Sequence, residues 1–160
     1  MLIQGNLSQM RTESDQTLLR LLQRDAGLSI KDLAQRSGLS ASTVWRRLQD
    51  FEAAGLITAR VTLLDPEKLG LGVLMLVNVN IRDQTQAARS AFERFAETEE
   101  AVQHCLAVTG SHDYVLMVRH VDVARFERFL MDRVLAHPSV ASAHSQLVLR
   151  HTKNSTLLPV

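Results

Sequence analysis

Arg46 and Arg47, preceded by the hydroxyls of Ser40, Ser42 and Thr43, are the residues whose types and spacing point most directly to a chemistry. A guanidinium pairs with the edge of guanine or neutralises a phosphate, and short hydroxyls donate to phosphate oxygens. Such a set suits double-stranded DNA, with the choice between base and phosphate left open for each arginine. A second set is Thr109-Gly110-Ser111-His112-Asp113. A glycine at positive φ lets successive backbone N–H groups converge on an anion, and a carboxylate such as Asp113 accepts from an ammonium group. The same five residues also suit a plain turn in which Asp113 caps its own backbone. His112 would border the site and make binding there depend on pH. The six histidines (104, 112, 120, 137, 144 and 151) include no pair at the i, i+4 spacing of a metal-binding helix, so no metal site is expected.

The arginine set needs a helix to present it. Ser29 precedes the periodic run Ile30, Leu33, Ala34, with Asp32 three residues on, which is an N-terminal capping pattern. Gly38 and Leu39 make a turn, and Ser40 caps a second helix with the inner stripe Val44, Leu48 and Phe51. Ser42, Thr43, Arg46 and Arg47 then face outward. Two short helices in this order match a DNA-reading helix-turn-helix. Trp45 is expected to flank the core rather than to stack on bases. Upstream, Ser14 is expected to cap a helix carrying Leu18, Leu21 and Leu22, and residues 1–10 show no period and read as a mobile arm. Downstream, Gly55 stops the reading helix. Residues Ile57, Ala59, Val61 and Leu63 alternate with Thr58, Arg60 and Thr62, which predicts a wing strand from which Arg60 reaches a phosphate.

The turn set needs a sheet. Residues 64–70 form a linker opened by Pro66 and closed by Gly70. Beyond it, Leu71, Val73, Met75, Val77, Val79 and Ile81 alternate, and Leu74 and Leu76 make part of the opposite face apolar as well. A sheet with two apolar faces buries the second against another copy of itself, so Leu74 and Leu76 are expected in a subunit interface. Helix 85–96, strands 101–109 and 113–120, helix 122–134 and strand 139–150 complete the order strand-helix-strand twice over. Phe-Glu-Arg-Phe occurs once in each helix, at 92–95 and 126–129, which supports a split βαβ arrangement of the ferredoxin-like type. Cys105 falls in a strand pattern and reads as a small hydrophobe.

Composition sets the bounds. With 46% hydrophobic and 22% charged residues the chain is globular, and no apolar run approaches the ~20 residues of a membrane span. The single cysteine excludes an internal disulfide and points to the cytoplasm. Residues 1–62 carry eight Lys/Arg against six Asp/Glu, a local basic excess in a chain of net charge +1. That disfavours an architectural protein that wraps DNA through phosphate neutralisation alone.

An N-terminal winged helix-turn-helix (12–63), the linker and a βαββαβ domain (71–160) together resemble the leucine- and asparagine-responsive (Lrp/AsnC) family of transcription regulators. The specific pieces are LDPEKLGLG at 64–72, RRLQDFEAAGLI at 46–57 and TGSHDYVLMV at 109–118. The resemblance implies an α+β fold with a C-terminal domain of the RAM type, which senses a small molecule, usually an amino acid. It implies that Gly110, Ser111, His112 and Asp113 meet that effector, and that dimers assemble further into tetramers or octamers. Two reading helices related by a two-fold axis call for a roughly palindromic operator. Neither cofactor nor catalytic residue is implied, although some proteins of this architecture resemble tetrapyrrole decarboxylases.

Overall fold

The computed structural model describes residues 12–160, in two units. One takes the chain up to Leu63 and again over Lys153–Val160, and the other holds Leu64–Thr152. The arm expected over residues 1–10 lies outside the described residues.

In the first unit, helix α1 (Glu13–Arg24) is capped by Thr12 rather than by Ser14. The reason is the residue three places on. Asp15 completes a reciprocal box, its N–H donating to Thr12 Oγ1 at 3.2 Å, whereas Ser14 has only Thr17 there. Helix α2 (Ile30–Ser37) starts with the expected Ser29–Asp32 box and stops at Gly38, whose φ of 72° is the left-handed turn. Helix α3 (Ala41–Ala53) is capped by Ser40, which accepts from the Thr43 N–H. Leu18, Leu33, Val44, Leu48 and Phe51 close the core between the three helices. Each such side chain contributes roughly 1.5–3 kcal/mol on burial, which is what holds α3 against α1 and α2.

Residues 57–63 do not form the expected wing strand. Among the described residues they have no ladder partner, and Val61 and Leu63 are 72% and 71% exposed. A lone extended segment has nothing to satisfy its backbone but water, so alternation alone does not make it a strand. The last eight residues, expected within 71–160, group with this unit instead. Leu158 exchanges backbone hydrogen bonds with the Gln23 amide, and Arg20 Nε donates to the Val160 carbonyl at 2.6 Å.

In the second unit, Asp65 Oδ1 accepts from the N–H groups of Glu67 and Lys68, folding 64–70 into a compact turn. The elements that follow are β1 (Val73–Ile81), α4 (Gln86–Thr98), β2 (Val102–Ala107), β3 (Tyr114–His120), α5 (Val123–Phe129) and β4 (Val140–Leu147). They form an antiparallel sheet in the order β2-β3-β1-β4, the ferredoxin-like arrangement. Met75, Val77, Val79 and Ile81 pack with Phe92, Leu116, Val118, Phe126 and Phe129 in one core. The repeated Phe-Glu-Arg-Phe thus serves both helices alike, its first phenylalanine buried each time. Helix α5 is shorter than the expected 122–134, because Leu130–Val134 widens into a π-helical turn closed by Leu135 N–H on the Leu130 carbonyl. Cys105 is half-buried against the core, and burial pushes its thiol up. Tyr114 donates to Glu93 Oε1 at 2.7 Å, and burial with that bond pushes its hydroxyl up to about 12.

His120 stacks on Phe126 and Phe129 with ring centroids at 6.4 and 5.3 Å, and its Nε2 has no partner. Burial holds its imidazole below the ordinary value, partly offset by Asp122, and burial does the same to His137. Folding therefore favours the neutral form of both, which take up protons more readily when unfolded, so stability is present above the unfolded value and lost as the pH falls through the folded one. The melting midpoint should drop on acidification from neutrality, and His120→Phe should shrink the drop. Thermal unfolding followed across pH checks this.

Candidate DNA-reading surface and effector turn

At the start of α3, the hydroxyls of Ser40, Ser42 and Thr43 form a cluster. Ser40 Oγ lies 3.1 Å from Ser42 Oγ and 2.8 Å from Thr43 Oγ1. They surround a helix N-terminus, whose N–H groups and dipole favour an anion. Ser42 and Arg46 are exposed, and among the described residues Arg46 has no ion-pair partner. Ser42 and Arg46 thus face outward from α3.

Arg47 does not. It turns toward α1, where Nε lies 3.2 Å from Asp15 Oδ1. Asp15 is 1% exposed, and Oδ1 has no other partner, so Arg47 is the charge that makes its burial tolerable. The physical reason is position: Arg47 borders the Phe51 flank of the helix, toward α1. Arg60 is paired too, with Glu52 at 2.6 Å, but both side chains are well exposed. Such a pair is worth little and releases Arg60 at little cost.

Trp45 overturns its expectation in the opposite sense. It is 56% exposed, while the core below α3 is already closed by Val44, Leu48 and Phe51. The outward arc of α3 therefore comprises Ser42, Trp45, Arg46 and Gln49, all exposed. The helical wheel carried this signal, since 42, 45, 46 and 49 span an arc of only about 100°.

In the second unit, Gly110 takes a φ of 119°, the positive value a glycine allows at this turn. The backbone N–H groups of Gly110, Ser111 and His112 make no backbone hydrogen bond among the described residues. His112 Nδ1 is buried and has no hydrogen-bond partner among the described residues, and its ring stands 5.9 Å from that of His144 on β4. Asp113, expected to meet an ammonium group, is already engaged within the chain. Its Oδ2 accepts from Ile81 N–H at 2.8 Å, and Gln84 donates to both carboxylate oxygens at 3.1 Å. Arg89 in turn donates to Gln84. The β1–β3 ladder ends at Val79 opposite Tyr114, and just beyond it the Ile81 N–H takes the Asp113 side chain as its acceptor. Nor does Asp113 merely cap its own backbone: it staples two strands.

The outer face of the sheet brings Leu76 opposite Met117 and Leu106 opposite Val115. Leu76, Val115 and Met117 are half-buried and Leu106 is exposed. Leu74 differs from its expectation as a bare interface residue, being only 4% exposed within the single chain. No group of three or more histidine, cysteine or acidic residues able to hold a metal occurs among the described residues.

The family described as Lrp/AsnC ligand binding domain matches residues 74–158, and winged helix-turn-helix DNA-binding matches residues 11–58. The chain belongs to the Lrp/AsnC family. It is 30% identical over 151 residues to the transcriptional regulator AzlB of Bacillus subtilis, covering 94% of this chain and 96% of that one. It is 31% identical to the glutamate uptake regulatory protein of Zymomonas mobilis, over 91% and 88% of the two chains. A transcriptional regulator of Neisseria meningitidis, solved as a complex with L-Met, superposes with a TM-score of 0.90 at 34% identity, over 93% of this chain and 96% of that one. Like other Lrp/AsnC members with this pair of domains, the chain is a DNA-binding transcriptional regulator with a ligand-binding domain. No helix among the described residues is long and apolar enough to cross a membrane.

The two neighbouring arginines should then separate in experiment. Arg47→Ala leaves the Asp15 carboxylate buried without its partner and should lower stability by roughly 2–4 kcal/mol. Arg46→Ala should leave the melting midpoint unchanged and weaken DNA binding by about 1–3 kcal/mol. Paired melts and DNA titrations check this; equal stability losses would place the two side chains in one environment.

Proposed function

We propose that this regulator is controlled by an amino acid bound at the turn 109–113, and that it acts in the cytoplasm as a homodimer, assembled further into tetramers or octamers. The observation that carries the effector assignment is the conjunction at that turn. Three consecutive amides without backbone partners lie beside a buried, unpartnered imidazole nitrogen on His112. Buried polar atoms are ordinarily satisfied, and an array of N–H groups receives a carboxylate. In this reading Gly110, Ser111 and His112 meet the ligand, and Asp113 shapes the turn from behind. The Neisseria relative's complex with L-Met supports an amino acid as the class. The relatives being regulators supports control rather than catalysis.

The outer sheet face supports self-assembly, because Leu76, Met117, Val115 and Leu106 form a contiguous apolar surface on a sheet whose other face is closed by helices. A two-fold pair of reading helices then selects a roughly palindromic operator through Ser40, Ser42, Thr43 and Arg46, with Arg60 on a phosphate.

A melting screen against the twenty amino acids tests the effector assignment. At least one should raise the wild-type midpoint, by about 2.7 kcal/mol of stability at a hundredfold excess over Kd. His112→Ala should stay folded and lose that rise. Asp113→Ala should lower the midpoint even without ligand, by about 1–3 kcal/mol, because the Ile81 N–H loses its acceptor. A His112→Ala variant that keeps the full rise removes the ligand from this turn.

Assembly is tested separately by Leu76→Glu, which would bury an unpartnered charge in the interface. Light scattering should report a smaller mass than for the wild type; an equal mass moves the interface elsewhere.

A further inference from the structure

We infer that Trp45 reads DNA, its indole lying against thymine C5-methyl groups in the major groove. The inference rests on the DNA-reading role of α3 and adds to it a specificity-determining side chain. An indole is costly to leave in water, and among the described residues it is not part of its unit's core: it is 56% exposed. It shares the outward arc with Ser42, Arg46 and Gln49, all of them donors to phosphates or base edges. Whatever receives that arc must therefore offer acceptors around an apolar spot.

The major groove has that pattern. Its base pairs present acceptor edges throughout, and the apolar group among them is the thymine methyl. Wedge-like insertion between base steps is the habit of proteins bound in the minor groove, which a helix of this kind does not enter. With Arg47 held by Asp15, fewer polar side chains remain on α3 to discriminate bases, and the indole occupies the vacant share of the helix surface.

Trp45 is the only tryptophan in the chain, so the intrinsic emission of the full-length protein reports this position alone. DNA is first enriched from a random pool by the wild type. Each thymine of the enriched site is then replaced by deoxyuridine, which removes the methyl and nothing else. Titrations are run at low salt, where phosphate contacts keep weakened variants bound. The wild type should lose about fourfold in affinity at one or two thymines per half-site, the worth of one buried methyl-sized group. Trp45→Ala should bind thymine and deoxyuridine at those positions equally, and the wild-type emission should shift or quench in step with DNA binding. Equal thymine preference in wild type and Trp45→Ala, or emission unmoved at DNA saturation, overturns the inference while leaving the DNA-reading role intact. Emission that follows protein concentration rather than DNA assigns the indole to a second copy of the chain and also overturns it. A wild type that enriches no sequence overturns the DNA-reading role, and this inference with it.

Discussion

A carboxylate buried to 1% exposure cannot stand alone, and in the first unit Asp15 is such a group. Its demand for a positive partner organises what surrounds it. As part of the Thr12 capping box it sets where α1 begins, and as the partner of Arg47 it ties α3 to α1 beyond what apolar packing supplies. The ion pair is worth less as net stability than as orientation, since desolvation cancels much of its Coulombic gain. Its consequence for function is subtractive. One of two adjacent arginines is withdrawn from the outward side of α3, whose exposed arc is Ser42, Trp45, Arg46 and Gln49.

The second unit repeats the theme with the charge reversed in role. Asp113 has the residue type and place to receive an ammonium group, yet its oxygens are occupied by Ile81 N–H and Gln84. What remains open at the turn is the set of backbone amides and His112 Nδ1. In both units, then, one charged residue of the motif is tied up in internal contacts, Arg47 with Asp15 and Asp113 with Ile81 and Gln84. Rigid support behind a recognition surface makes the contacts in front of it cheaper to form.

The regular elements were legible wherever one periodicity ran uninterrupted. The α3 stripe Val44, Leu48 and Phe51 and the alternation Met75, Val77, Val79 and Ile81 both lie in the cores that those patterns implied. The repeated Phe-Glu-Arg-Phe placed the two helices of the sheet domain, and Gly38, Gly55 and Gly110 marked turns that all take positive φ. Residues 57–63 alternate without forming a strand. Their alternation is as strict as that of β1, yet β1 has β3 and β4 on either side and 57–63 has no strand partner among the described residues. A strand is a property of a pair.

The sequence by itself determined the caps of α2 and α3, the strand-helix-strand order and the family, because these depend on local propensity and on patterns a few residues long. Only the tertiary structure decided which side chains the sites have free. Arg47 and Asp113 were claimed by groups far away in the chain, Asp113 by an N–H 32 residues distant. Trp45 was left exposed because other residues had already filled the core. Whether a polar or aromatic side chain is available to a partner depends on what else reaches it, and that is set by the folded neighbourhood rather than by residue type and spacing.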